Sequence, residues 1–564
     1  MSKTIVVIGG ANGGPVAAAR IRSFAEDARI ILLEKRNHVS WVQAGLRFHL
    51  EGKVGRLEDL DVERSSFFEK RYRIEVRTGA EVVALDSDSQ RVVVRTSEGL
   101  ERIKYDSVVF SGGAVSKTLP IPGLEGDRVC NFRNLDDLRT IQKAVDAGAK
   151  HAVIIGCGAF GLDAAEGLLA AGFTMDIVES ASRILPGFSF LASRAAAKEL
   201  IRDGVTLRLE KRIERLEDHA QGGKTVFLDD GTSIEAGLVV VAAGMRPRTE
   251  LLKDQASLNA DGSVRTNRQM ETTLRNVYAC GTAVSVQHAV THGHLWVPQA
   301  AIIDQTAQVA GRNAALAANR SEQAKEGLNP VAGTIMHKVN GMWIARTGLS
   351  ADDARKAFCE GEHDRARIQV NTVHAWAGEA WLEKCENICV RIVVDKERDV
   401  VVGGEVWGRR GVPRRIDILA AAVLDGWAPS RVADLDIAYD PTLGPAYDPI
   451  NACGTLAGAV KNGEVTTIDA TTLTDWIKTK ADLQIVDVGK GSKTDKAIAP
   501  KQTVNIPLEE LRERTSELDP QKPLVLVSHT GRRAQLASRV LSQRGFCDVV
   551  FLDGGLITWS LWEF

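Results

Sequence analysis

Two glycine-rich turns, each followed some twenty residues later by a glutamate, are the stretches whose residue types and spacing could do chemistry. The first, Gly9-Gly10-Ala11-Asn12-Gly13-Gly14, follows the apolar run Ile5–Ile8 and opens an Ala-rich segment. A second apolar run, Ile30–Leu33, ends at Glu34, twenty residues beyond Gly14. The other turn, Gly156-Cys157-Gly158-Ala159-Phe160-Gly161, follows Ala152–Ile155, and Asp176–Val178 then ends at Glu179, eighteen residues past Gly161. Strand, glycine turn, helix and acid-ended strand make a dinucleotide-binding unit. The glycines allow the tight turn and bring a helix N-terminus up to a pyrophosphate, while the acid accepts hydrogen bonds from the adenosine ribose. Ala11 stands where the first unit would carry its middle glycine, so the second is the more complete. An acid at Glu179 favours the free 2′-hydroxyl of NADH, and Arg183 nearby keeps NADPH open.

The elements around these turns can be read from apolar periodicity. Lys53–Arg71 is polar and helical, and Ile74–Arg77, Glu81–Leu85 and Arg91–Arg95 alternate like a small antiparallel unit. Tyr105–Phe110 reads as a strand ending at Ser111-Gly112-Gly113, and Leu119–Gly123 marks a boundary. Leu238–Ala243 ends in Gly244, and Val277–Ala283 leads into a helix near Gln299–Ala317.

Bulk properties bound the function. At 564 residues the chain holds three or four domains. With 71 basic and 73 acidic residues it is not built for nucleic acid or a membrane surface. No apolar run is long enough to span a bilayer, and no signal peptide precedes the first strand. Eight cysteines without a CxxC fit free thiols in a reducing cytoplasm, and they are not clustered to hold an iron–sulfur centre.

Two nucleotide units, the second inserted between parts of the first, resemble the two-dinucleotide-binding flavoprotein reductases. GGANGGPVAAARIR, the VS-x3-AGL stretch, FEKRYRIEVRTGAEV and AYDPTLGPAYDPINACG narrow the resemblance to coenzyme A-disulfide reductases and NADH-dependent persulfide reductases. In the last hundred residues Ile485–Val488, Asn505–Leu508, Leu524–Val527, Gly531-Arg-Arg533 and Gly554-Gly-x3-Trp559 resemble a rhodanese domain. The implied fold is α/β. Residues 1–120 and 245–330 form an FAD-binding domain and residues 121–244 an NAD(P)H-binding domain, both Rossmann-like. Residues 331–455 form an α+β dimerisation domain, 456–465 a linker, and 466–564 a C-terminal α/β rhodanese-like domain. The resemblance implies FAD on Gly9, Ala11, Asn12, Gly13, Gly14, Glu34, Lys35, Val82, Ser111, Gly112, Gly113, Arg133, Thr282 and Ala283. It implies NADH on Gly156, Gly158, Phe160, Gly161, Glu179 and Gly244. CoA or a CoA derivative would meet Arg22, Ser40, Gln43, Lys70 and Arg71, although exposed basic residues on two helices are also ordinary. A homodimer is implied, with each subunit completing the other's site.

The expected sulfur chemistry is missing twice. The family loop VS-x3-C-G-L carries a redox cysteine against the flavin, and here that position is Ala44. Thiol–disulfide exchange requires a thiolate, which a methyl group cannot supply. The family's Pro and Tyr after this loop are Arg47 and Phe48. The rhodanese pattern C-x-x-G-x-R reads Ser528-His-Thr-Gly531-Arg-Arg533, which keeps the cup and the arginine without the sulfur. That favours an anion-binding or docking module. The usual GHI there is Lys496-Ala-Ile498. The family's adjacent tyrosines fall on Trp381 and Leu382, Tyr439 is retained, and Thr282 replaces an aspartate that holds the ribityl chain.

Tyr439 and Trp381 are therefore the catalytic candidates that remain. Cys385, Cys389 and Cys453 could carry a relocated thiol or simply fill core. His288, His292 and His294 have metal-compatible spacing but no evident fourth ligand, so a loop role is preferred and no metal is expected. The sequence favours a cytoplasmic, dimeric FAD-dependent NADH oxidoreductase that passes electrons to a CoA-linked substrate, quinone, oxygen or redox partner protein. The alternatives are a reductase with a relocated cysteine and a non-catalytic NADH- or CoA-binding subunit.

Overall fold

The structure is a computed structural model that describes residues 2–60, 63–219, 222–383, 385–480, 482–490, 498–499 and 503–564. Lys496 and Ala497, singled out above, lie outside the described residues. The chain divides into one unit of Met1–Ser182 with Gly204–Gly333, and another of Arg183–Asp203 with Thr334–Phe564.

The first unit holds both dinucleotide folds. β1 (Thr4–Ile8), α1 (Gly13–Arg22), β2 (Arg29–Leu33), α2 (Gly45–Leu50), α3 (Ser65–Tyr72) and β3 (Ile74–Arg77) open the chain. In its sheet, Val277–Ala279, Ser107–Phe110, β1, β2 and β3 lie side by side and parallel. The register pairs Ile8 with Leu33 and with Phe110, which brings three strand ends together at the glycine turn. Ile5, Val6 and Val7 are fully buried, the pattern of a central parallel strand covered on both faces. The second sheet is also all parallel, in the order Thr206–Leu209, Thr174–Glu179, His151–Ile155, Leu238–Val241 and Val129–Asn131.

One expected grouping is corrected. Ile74–Arg77 is a parallel edge strand of the first sheet, not part of an antiparallel unit. Glu81–Asp86 and Arg91–Thr96 instead pair with Gly99–Lys104. This last strand is exposed apart from Ile103, so it carries no apolar alternation to reveal it.

In the second unit an antiparallel sheet runs in the order Ile335–Val339, Met342–Gly348, Val400–Gly408, Asn387–Asp395 and Ile368–Trp376. A parallel sheet of Thr467–Ile468, Val549–Leu552, Leu524–Val527, Gln484–Asp487 and Thr503–Asn505 follows. Strand Thr503–Asn505 stops before Pro507. The stretch expected as a linker at 456–465 is largely helix, because Pro449–Lys461 runs through it. Asp448 caps that helix by accepting the Ile450 N–H at 3.0 Å, and Gln369 donates to the Ala457 carbonyl at 2.9 Å. A helix face buried on the sheet outweighs its glycines.

Arg183–Asp203, within the range expected for the nucleotide domain, groups with this second unit. Glu405 accepts the Ser189 N–H at 2.6 Å, Asn340 donates to Asp203 at 2.6 Å, and Arg409 pairs with Glu199. The Phe190 and Trp562 rings pack edge-on at 5.1 Å, so helix Phe190–Arg202 also rests on the C-terminal helix Gly555–Trp562.

Candidate functional site

The site begins at the first turn. Gly9 has a φ of 103°, and a Cβ on Gly14 would collide with the Gly9 carbonyl, so only glycine lets the helix start this close to the strand. Glu34 Oε2 accepts the Gly10 N–H at 2.6 Å and Oε1 the Arg36 N–H at 2.8 Å. The second turn repeats the construction: Gly156 has a φ of 94°, and a Cβ on Gly161 would collide with the Gly156 carbonyl. Glu179 accepts the Cys157 N–H at 2.8 Å and the Ala181 N–H at 2.9 Å. Each acid is thus fixed by the turn it serves while retaining lone pairs for a ribose.

A cavity of about 490 Å³ opens at the first turn. It is lined by Gly9, Ala11, Asn12, Gly13, Glu34, Lys35, Val82, Ser111, Gly112, Gly113, Arg133 and Thr282, which were all expected from sequence. Gly14 and Ala283 are buried and absent from the lining. Arg36, Arg248, Glu81, Glu250 and Trp41 also line it and were missed. Arg36 follows the acid by two residues and Arg248 follows Pro247, so an arginine next to a glycine-turn strand end was the available signal. Burial, with Arg248 and Arg36 facing it, pushes the Arg133 guanidinium down to about 10. Arg248 is likewise lowered by burial and by Arg36. Three guanidiniums that repel one another around one cavity form a site for a polyanion such as a pyrophosphate.

A narrower cleft adjoins the cavity. Gln43 and Arg133 line both, and the cleft adds Phe160 and Gly244, two of the residues expected to hold NADH. The two nucleotide folds therefore meet at Gln43 and Arg133. Next to Gln43, Ala44 is exposed and caps α2. Arg47 is buried and forms ion pairs with Glu51 at 2.5 Å, Glu166 at 3.1 Å and Asp163 at 3.5 Å. It ties α2 to helix Ala159–Ala170 of the second fold. Ser40, with a φ of 56°, donates its N–H to the Gly10 carbonyl at 2.8 Å and so fixes the loop to the first turn.

Residues 3–297 match the model of the pyridine nucleotide-disulphide oxidoreductases. The chain belongs to this family. Residues 338–449 match the family's dimerisation domain, and 469–561 match a rhodanese-like domain. A relative from Methanocaldococcus jannaschii, an NADH oxidase, is 25% identical over 79% of this chain and 96% of its own. An NAD(P)H coenzyme A polysulfide/persulfide reductase of Pyrococcus horikoshii is 29% identical over 80% of this chain and 97% of its own. The solved structure of reduced Bacillus anthracis CoADR-RHD superposes with a TM-score of 0.91 at 25% identity, covering 100% of this chain and 98% of that one. The family uses FAD and NAD(P)H and includes CoA-disulfide reductases, persulfide reductases and NADH oxidases. Among the described residues, no helix is long and apolar enough to cross a membrane.

In this pyridine nucleotide-disulphide oxidoreductase several expected residues have other duties. Arg22, expected at a CoA phosphate, is buried and donates to the carbonyls of Tyr72, Ala25, Glu26, Ala28 and Arg73 at 2.5–2.9 Å. Its donors are spent on fastening α1 to the end of α3, which corrects that expectation. Lys70 and Arg71 are exposed on α3. His288 is buried, with Nδ1 accepting the Val290 and Thr291 N–H groups at 3.2 and 3.3 Å. Among the described residues no group of three or more His, Cys, Asp or Glu could hold a metal.

In the second unit Tyr439 is exposed and its hydroxyl donates to Glu379 at 3.2 Å, while Trp381 is 69% exposed. Cys389 and Cys453 are buried, and burial pushes both thiols far up; Cys385 is half-buried just before the strand. Ser528 is buried, with its Oγ accepting the Ala534 N–H at 3.2 Å and its carbonyl accepting those of Leu556 and Gly531 at 3.0 and 3.3 Å. Gly531, with a φ of 83°, turns that loop, and Arg533 is exposed beyond it.

The rhodanese-like domain is fastened to the antiparallel sheet by buried polar contacts. Asp553 accepts the Thr372 N–H at 2.9 Å, and His374 Nε2 lies 3.0 Å from Thr558 Oγ1. Burial holds His374 down at about 3 and raises Asp553 to about 6.

Proposed function

We propose that the protein is an FAD-dependent NADH oxidoreductase that discharges its flavin without a cysteine relay. The observation that carries this is the joining of the arginine-lined cavity to the nicotinamide-side cleft beside an alanine at position 44. FAD fits the cavity: Glu34 would take the ribose hydroxyls, the α1 N-terminus with Arg36, Arg133 and Arg248 the pyrophosphate, and Thr282 the flavin side. NADH would lie along Gly156–Gly161 with its ribose on Glu179. Bound FAD supplies two-electron chemistry, accepting hydride and passing electrons on. The protein positions the two rings, excludes water and balances charge. Family kinship supports a homodimer formed through residues 338–449, with Tyr439 and Trp381 as candidates for the shared site.

The acceptor would be oxygen, a quinone, a redox protein or a CoA-linked compound bound near Ser40, Lys70 and Arg71. The kinship with an NADH oxidase supports oxygen among these. A relocated thiol at Cys389 or Cys453 is disfavoured, because burial pushes both thiols far up, which leaves the half-buried Cys385 as the candidate for that alternative. The rhodanese-like domain serves as a docking module whose partner strand, Ile368–Trp376, lies in the same chain.

The test is the visible spectrum of purified protein mixed with NADH without oxygen. Bleaching of a bound flavin with no long-wavelength thiolate band is expected. A bound flavin that stays oxidised would sink the proposal and favour a regulatory binding subunit.

A further inference from the structure

The amide of Gln43 presents an anomaly. Its Nε2 is buried and has no hydrogen-bond partner among the described residues. An unsatisfied buried donor is costly, so such a group in a built site points to something that binds there. Gln43 lines both the 490 Å³ cavity and the nicotinamide-side cleft, a property it shares with Arg133. Arg133 contacts Met245 and is pressed by Arg36 and Arg248, so its charge belongs to the cation cluster. Gln43 is the neutral donor at the boundary.

We propose that Gln43 donates a hydrogen bond to the flavin ring where the two cavities meet, and thereby sets the flavin's reduction potential. The loop fits this duty. The Ser40 N–H is bonded to Gly10, the Val42 N–H donates to Leu60 at 3.0 Å, and Arg47 anchors the helix that follows. The amide is therefore held on a segment fixed at both ends, at the position just before Ala44. A donor held in a low-dielectric site favours the electron-rich reduced ring over the oxidised one. Gln43 exchanges no proton or electron; it acts on the ring through its hydrogen bond alone. With no sulfur at position 44 to accept electrons, the flavin's own potential decides which acceptor is reduced, and this residue would tune it. The inference rests on the flavin reading given above.

The experiment compares wild type with Gln43→Leu and Gln43→Glu, each loaded with FAD, by spectroelectrochemical titration and visible spectrum. Loss of the donor should shift the reduction equilibrium about tenfold toward the oxidised form, about 30 mV lower for a two-electron couple. Gln43→Glu, which adds negative charge, should move it further in the same direction, and both variants should shift the flavin absorption bands. If Gln43→Leu is recovered unfolded, Gln43→Glu, closer to the native side chain in size, carries the measurement. A variant with the wild-type potential and bands overturns this inference alone. A wild-type protein that takes up no flavin overturns the functional reading on which it rests.

Discussion

Arg47 and Glu166 lie 3.1 Å apart and join the loop after Ala44 to the helix that opens at the second glycine turn. Both side chains are nearly buried, at 8% and 11% exposure, and Glu51 and Asp163 share the same guanidinium. The segment that follows Ala44 is a strut between the two nucleotide folds. Arg47→Met should lower stability by about 3 kcal/mol, because three carboxylates lose their common cation. Arg47→Lys should fall between, since an ammonium keeps the charge but not the fork. Thermal melts measure the first effect, and stopped-flow reduction by NADH should reveal slower flavin bleaching in both variants.

Glu179 is predicted to set nucleotide preference. Its carboxylate is already oriented by the Cys157 and Ala181 N–H groups, so it meets a ribose with no reorganisation. NADH should be preferred over NADPH, and Glu179→Ser should reduce that preference at least about tenfold, the size of a lost charge-assisted hydrogen bond plus relieved repulsion. Steady-state kcat/KM for both nucleotides measures it; an unchanged ratio would rule the role out.

Arg22 is structural. Replacing it by Met strands five carbonyls at the junction of α1 and α3. A loss of about 3 kcal/mol or more is expected. The affinity for CoA, measured by calorimetry on the folded variant, should not change.

The seam between Asp553 and Thr372 predicts a pH signature. Asp553 is raised to about 6 by burial, so its contribution to stability is present below the unfolded value near 4 and lost as pH rises through 6. His374 is lowered to about 3, so its contribution is present above about 6.5 and lost as pH falls. The two effects cancel between about pH 4 and 6, and the larger His374 shift leaves a net rise in stability from pH 6 to about 6.5. Asp553→Asn keeps the acceptor for the Thr372 N–H and removes the titration. It should raise the melting temperature at pH 8 relative to wild type, with the gain vanishing near pH 4.

The two glycine turns, their acids and most of the cavity lining were legible in sequence, because they depend on local rules: glycine where a Cβ would collide, an acid at the end of the next strand. The alanine at 44 and the serine at 528 were equally legible, since a residue type is read directly wherever it lies. Arg36 and Arg248 were not, because they are more than two hundred residues apart and converge only when the parallel sheet and the antiparallel pair of Ala114–Ser116 with Met245–Pro247 come to one cavity. Arg22 was misread for the same reason: its five acceptors come from two segments that only packing brings together. The sequence by itself thus determined the two glycine turns with their acids and the residue types at positions 44 and 528. The tertiary structure alone decided that Gln43 is left with a free donor at the boundary of two cavities. Only packing fixes which buried polar groups find partners.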